Sequence, residues 1–220
     1  MSEKLKVAVI TGSHPFDVLN FQNMFKSFEN ITTYHQHMED FVTDTGPGRK
    51  MYDVYLFYHM VTKTPDGEGN NYQGKIKQVL TELGETNQGI FILHHSLVAF
   101  PEWDFWSEIC GISNRVNDEV YEGVKMNLQI EDNSHYITKD LNSWSMVDEV
   151  YTIAEAKDNN DNQILLTTDH PKSMKSIAWT RKFKNSRVFC RASGHDNRVF
   201  SNCNFKKLIK RGIKWTANNR

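Results

Sequence analysis

The sequence predicts an α/β fold with an open, mainly parallel central sheet and helices packed against it. Three observations carry this expectation. Residues 5–11, 52–58, 89–93 and 188–192 are nearly continuous apolar runs rich in β-branched and aromatic side chains, the pattern of strands buried on both faces. Between the early runs, apolar residues recur at helical spacing. The runs also end alike: 5–11 leads to His14, 52–58 to His59, 89–93 to His94 and His95, and 188–192 to His195. In a parallel sheet the carboxyl ends of the strands form the ligand-binding edge.

Residues 5–11 read as the first strand, placed centrally. Val18, Phe21, Met24, Phe25 and Phe28 mark a helix with one apolar stripe, and Asp17 stands where an N-cap belongs. Residues 31–34 form a short second strand and 52–58 a third. The segment 64–69, Thr-Pro-Asp-Gly-Glu-Gly, is turn chemistry. Tyr72, Ile76, Val79, Leu80 and Leu83 then repeat as a helix, with Gly84 as a C-cap. Residues 89–93 are the fourth strand. The alternation breaks after Trp106. Residues 109–148 read as an irregular insertion, an antiparallel excursion or lid, with alternation only at 124–130. Strands follow at 150–154, 163–168, 176–183 and 188–192, with a surface loop at 158–162. A final amphipathic helix over 204–215 is capped by Asn202 or Asn204 and packs on one sheet face. No repeat or Pro/Gly/Ser-rich linker interrupts the chain, so a single domain over 1–220 is expected.

The 220 residues carry a net charge of −1, with 39% hydrophobic and 24% charged residues. That balance argues against a nucleic-acid binder working through a basic face. No apolar run approaches the roughly 18 residues of a membrane span, and the N-terminal residues lack an apolar signal core. Cys110, Cys190 and Cys203 are widely spaced and form no CxxC pair, which points to a reducing, cytoplasmic setting. No G-x-G-x-x-G or G-K-[ST] loop follows the first strand, so no nucleotide cofactor is expected.

The candidate site is the row of histidines. Imidazole titrates near neutrality and ligates metals. His195, after Gly194, is the first candidate for a catalytic acid or base, with Asp196 to orient it; the plainer alternative is a polar turn. Adjacent strand residues face opposite ways, so one of His94 and His95 reaches the pocket as a catalytic or binding group. Ser96 lacks a nucleophile elbow and reads as a helix cap. His14 and His59 are candidate substrate contacts on the same rim; a solvated loop is the alternative for His59. His35, His37 and His135 read as surface residues. Asp148 and Glu149 can bind sugar hydroxyls, act as acid or base, or serve a metal. Trp103, with Phe105, Trp106 and Trp144, offers a sugar-stacking surface or plain core. A divalent metal, zinc above all, is an expectation for His14, His94, His95 and His195, because zinc takes three protein ligands and water.

Three segments resemble the ThuA-like family, named for trehalose utilisation. They are His94-His95-Ser96 with Phe100-Pro101-Glu102-Trp103; Asp148-Glu149-Val150-Tyr151; and Ala178-Trp179-Thr180-Arg181 running on to Gly194-His195-Asp196. The ending Phe205, Leu208, Arg211-Gly212-Ile213 and Trp215 fits as well. The resemblance spans almost the whole chain. It implies the class I glutamine amidotransferase-like fold, a flavodoxin-like three-layer sandwich. It also implies a carbohydrate-related role on a disaccharide or keto-sugar. Amidotransferases of that class need a cysteine on the turn after the fourth strand. Here that turn holds His94-His95-Ser96, so glutamine hydrolysis is not expected. An enzyme with a His/carboxylate pocket, a non-catalytic sugar-binding or regulatory protein, and an interaction subunit all stay open. The ligand is a small sugar-like molecule, and a homo-oligomer fits the sequence.

Overall fold

The computed structural model describes residues 4–68, 72–117, 119–157 and 161–218. Part of the surface loop read at 158–162, and Gly69 of the turn before the second long helix, lie outside the described residues. The elements run β1 (Leu5–Gly12), α1 (Val18–Lys26), β2 (Ile31–His37), α2 (Met38–Thr43), α3 (Gly46–Arg49), β3 (Val54–His59), α4 (Tyr72–Thr81), β4 (Gly89–Leu93), a 3₁₀ turn (His94–Leu97) and α5 (Asp104–Cys110). Then come β5 (Val120–Ile130), β6 (Trp144–Tyr151), β7 (Gln163–Thr167), β8 (Ser176–Phe183), β9 (Ser186–Arg191), α6 (Asn197–Phe200) and α7 (Cys203–Thr216).

The fold is α/β with one large sheet, but that sheet is mixed and not mainly parallel. Its nine strands lie in the order β2-β1-β3-β4-β9-β8-β7-β5-β6. β2, β1, β3, β4 and β9 pair in parallel; β9, β8, β7, β5 and β6 pair antiparallel. The cause is connection chemistry. Helices link the early strands and force parallel crossovers. β8 and β9 are joined by the two-residue turn Lys184-Asn185, with Lys184 in the left-handed region at φ 50°, and a tight turn permits only antiparallel pairing. β1 is not central either. β9 occupies the middle of the sheet and β1 is next to its edge.

β3 and β4 are buried at every residue, because helices cover both faces. Phe21 of α1 stacks on Tyr58 at 4.4 Å and meets Phe200 of α6. On the same face the Arg191 guanidinium of β9 sits 4.7 Å over Phe205 of α7. On the opposite face Phe57 meets Phe41 of α2 and Trp106 of α5. Successive residues of one strand thus serve opposite helical layers. Asp17 caps α1 and Asn202 caps α7, each accepting from backbone N–H groups of the first turn.

The antiparallel excursion expected within 109–148 is present, with turns and loops at 131–143 between its two strands. It holds the whole of β5, whose burial alternates, and the first part of β6. β6 begins at Trp144, well before the predicted start at 150; its early residues are half exposed and hide the strand pattern. A bulge between Tyr121 and Val124 shifts the β5–β6 register. The end of β6 lies across the ends of β8 and β9: Val150 and Tyr151 line a small cavity with Ile177, Ala192 and Ser193, and the Met174 N–H donates to the Tyr151 carbonyl at 2.7 Å. Among the described residues no helix is long and apolar enough to cross a membrane.

Candidate active site

The carboxyl ends of β1, β4 and β9 and the end of β6 meet at one place. β4 stops at Leu93, and the chain turns sharply into the 3₁₀ turn. His94 adopts a left-handed backbone at φ 49°, uncommon for a residue with a side chain and a form of local strain that collects at functional sites. The turn sends both His94 and His95 inward. Each is essentially fully buried.

The loop after β1 brings His14 over them. The His14 and His95 rings lie 3.5 Å apart, the His94 and His95 rings 4.2 Å, and the His95 and His195 rings 5.5 Å. β6 supplies Glu149. Its Oε1 stands 3.4 Å from His94 Nε2, and its Oε2 stands 3.2 Å from His195 Nδ1. One ligand atom from each of His94, His95, Glu149 and His195 falls within 4.8 Å of the others.

Hydrogen bonds fix which nitrogens carry protons. His94 Nδ1 lies 2.6 Å from the Ala192 carbonyl. A carbonyl only accepts, so this nitrogen donates and Nε2 keeps its lone pair toward the site. The Tyr151 hydroxyl is 3.1 Å from His94 Nε2 and 3.0 Å from His95 Nδ1. It donates to the first and accepts from the second. His95 Nε2 then carries a free lone pair, buried and without a hydrogen-bond partner; His14 Nδ1 has no hydrogen-bond partner either.

Electrostatics follow the packing. Burial, then the neighbouring His94, pushes the His95 pKa far down, so its ring is neutral at physiological pH. Burial and the nearby His94 and His195 lower His14 in the same way. Glu149 balances opposing effects. Burial raises its pKa, but the neighbouring His94, then His195 and the Tyr151 hydroxyl, together hold it below the ordinary range. The hydroxyls of Tyr58 and Tyr151 are pushed well above the usual phenol range, chiefly by burial, and stay protonated.

Asp148 sits beneath the cluster, fully buried. It accepts from the backbone N–H groups of Gly194 at 2.7 Å and His195 at 3.0 Å. Tyr58 donates to the Gly194 carbonyl at 2.9 Å. Gly194 itself has φ 144°, a conformation open to glycine and costly for other residues. The loop carrying His195 is therefore held by its backbone from two sides.

The structure separates other candidates from this cluster. Asp196 does not face the His195 ring: its carboxylate caps α6 and pairs with Arg198 at 2.5 Å. Glu149 is the carboxylate beside His195. His59 is fully buried on the other side of β3, where Ser96 Oγ lies 3.0 Å from its Nδ1 and Phe100 and Trp106 flank its ring. Ser96 braces His59 instead of capping a helix. Trp103 is half buried and packs on Phe100 and Phe105. His35, expected on the surface, is wedged against Phe21 and Phe25, and burial lowers its pKa to about 4. Tyr58 and Tyr151 were missed from sequence. Each reads there as one more aromatic in a strand, although Tyr151 closes the Asp148-Glu149-Val150-Tyr151 motif.

Comparison with known proteins bears on the family and the fold. The family model for ThuA, trehalose utilisation, matches residues 7–216. No curated protein matches the sequence. A ThuA-like protein of Parabacteroides merdae superposes with a TM-score of 0.72 at 18% identity, over 97% of this chain and 90% of that one. A ThuA-like protein of Bacteroides uniformis gives 0.73 at 15%, over 98% and 93%. A cytoplasmic protein of Salmonella typhimurium LT2 gives 0.67 at 12%, over 96% and 99%. At such identities the structures attest the fold, whereas the sequence model covers nearly the full length. The chain belongs to the ThuA, trehalose utilisation, family.

Proposed function

We propose that this protein is a carbohydrate-active enzyme of the trehalose-utilisation type. It acts on a disaccharide or keto-sugar at the His94–His95–His195–Glu149 cluster. One observation carries the reading: three imidazoles and a carboxylate converge within 4.8 Å, with a buried, unpartnered nitrogen on His95. His59 Nε2 is unpartnered too, but its ring is flanked by Phe57, Phe100 and Trp106; the His95 nitrogen lies among other ligand atoms, and that grouping calls for a ligand.

The donor set suits a divalent transition metal, zinc above all, since neutral imidazole and carboxylate are its ordinary ligands. His94, His95, His195 and Glu149 would hold it, and the Ala192 carbonyl and Tyr151 hydroxyl would orient the two buried rings. Such an ion supplies Lewis acidity toward a carbonyl or water oxygen. His14 is the remaining imidazole, half exposed at the mouth of the site. It has an unpartnered Nδ1 and a lowered pKa, so it is neutral and able to accept a proton from substrate. Asp148 acts through the loop it holds. Asp196, His59 and Trp103 have no direct part.

A second reading keeps the pocket without turnover: a sugar-binding protein on an amidotransferase-like scaffold. The observation favouring it is the turn after β4, where the strained position holds His94 and no thiol. Both readings place the protein in a reducing, cytoplasmic setting, consistent with three free cysteines.

The test is metal analysis of untagged protein from zinc-supplemented expression, followed by incubation with trehalose and its keto derivative. About one equivalent of metal, lost in His95→Ala, together with product by mass spectrometry, is the expected result. Metal below about a tenth of an equivalent removes the metal. Saturable sugar binding without product selects the second reading.

A further inference from the structure

The proposed reaction centre is too tightly packed to hold a whole disaccharide. Its rings lie 3.5 to 5.5 Å apart, and His94 and His95 have no exposed surface of note. Reacting atoms can approach the mouth at His14 and His195; the rest of a substrate must lie elsewhere.

The topology indicates where. From β1 the chain steps outward to β2, then returns to place β3 on β1's other side. The loops after β1 and β3 therefore part, and the crevice between them is the topological switch point, where open α/β sheets bind ligands. A cavity of 260 Å³ lies there, lined by Ser13 from the first loop, His37 from the end of β2 and Val61, Lys63, Thr64 and Asp66 from the loop after β3. Ser13 directly precedes His14, so cavity and reaction centre share one loop. Ser13 is itself left-handed at φ 58°.

The lining specifies the chemistry. Serine and threonine hydroxyls, an imidazole, an ammonium and the carboxylates of Glu39, Asp66 and Glu68 offer both donors and acceptors, as a polyol requires. Lys63 and Asp66 pair at 2.9 Å and the lining adds the carboxylates of Glu39 and Glu68, so the cavity presents no free positive charge to an anion. Val61, with the buried Phe100 whose N–H donates to the Val61 carbonyl at 2.8 Å, gives an apolar floor for the C–H face of a pyranose. The His37 ring lies against the backbone of Gly12, where a Cβ would come within 2.6 Å of its Nε2, so Gly12 is what admits that imidazole. The volume falls just under the roughly 300–1,000 Å³ of drug-sized sites, which suits one sugar ring.

We infer that this crevice is the subsite for the second hexopyranose ring of a disaccharide whose reacting ring lies at His14 and His195. The inference rests on the carbohydrate reading above and adds a two-ring, neutral, glycosidically linked substrate. The test is a ¹⁵N NMR titration of the full chain with trehalose and, separately, with methyl α-glucopyranoside. Trehalose is expected to shift the amides of Ser13, Val61 and Thr64 together with those of His14 and His195. Thr64→Trp, filling the crevice from an exposed loop, is expected to weaken trehalose about tenfold and to leave the glucoside nearly unchanged. Shifts at His14 and His195 alone, or unaltered trehalose affinity in Thr64→Trp, overturn the subsite and spare the proposed function. Shifts confined to the crevice keep the subsite and overturn the placement of the reaction. Silence at both places overturns both.

Discussion

Asp148 holds His195 by its main chain and not by its ring. The carboxylate takes the N–H groups of Gly194 and His195, and the imidazole is left to Glu149, 3.2 Å away. Asp148 and Glu149 are neighbours in one strand, so one builds the loop and the other meets the ring. Replacing Asp148 with Asn places an N–H₂ group among backbone donors. Two hydrogen bonds to a buried charge are weakened at once, and a loss of about 3 kcal/mol of stability is expected. Urea midpoints of the two proteins measure it. A loss under about 0.5 kcal/mol, within the noise of surface substitutions, would mean the loop is held some other way.

Tyr151 tests the tautomer argument. Its hydroxyl bridges His94 Nε2 and His95 Nδ1, so Tyr151→Phe removes orientation without removing a ligand. Zinc affinity should fall about 10- to 100-fold, read by competition with a chromophoric chelator, while the fold persists by circular dichroism. Unchanged affinity would place the metal away from these rings.

His59 is as buried as His94 and is predicted to behave differently. His59→Asn should retain zinc, since its ring belongs to Ser96 and not to the cluster.

The same residue sets a pH dependence. Burial lowers its pKa to about 3 from an ordinary 6.5, so the unfolded chain binds a proton that the folded one refuses. Its contribution is full above pH 6.5 and is lost as pH falls toward 3, at about 1.4 kcal/mol per pH unit. Between pH 6 and pH 4, the stability of His59→Asn should decline less steeply than that of the natural protein. Equal slopes would show that His59 is already protonated in the fold.

The cysteines should be inert toward glutamine. Cys110 is pushed up to about 11 by burial, and Cys190 is held well above the ordinary thiol range by burial and by Cys110 beside it. Iodoacetamide should label Cys203 alone in the folded protein, as peptide mass mapping can show. No ammonia should be released from glutamine before or after labelling.

The parallel half was legible because its strands are buried on both faces: 89–93 was read with the bounds that β4 has, and 52–58 lies within a residue or two of β3. The antiparallel half was harder. β6 begins at Trp144 among half-exposed residues, and α2 has only six residues, too few for a period to show. Pairing direction is not written in a strand; it depends on how its ends are connected, so an antiparallel excursion was expected at 109–148 but not antiparallel pairing of β7, β8 and β9. At the site, position after a strand was enough to single out His14, His94, His95 and His195. It could not tell His59 from them, because β3 ends one residue out of phase and sends that ring to the other face. Nor could it foresee that Glu149, and not Asp196, would face His195. That depends on the β5–β6 ribbon crossing the sheet, a contact between residues 46 apart in the chain.

The middle place of β9 has a consequence for biosynthesis. A ribosome delivers β1 to β4 long before β9, so the uniformly apolar β4 emerges as an unprotected edge. The antiparallel strands that follow have no parallel half to join until residues 186–191 arrive and seal the two together. His195 comes only a few residues later. Between β6 and β9 the nascent chain thus holds two unjoined sheets, a state that invites misassembly, and until His195 emerges the cluster of imidazoles and carboxylate is incomplete. Assembly of the sheet and completion of the site fall within the same short stretch of synthesis.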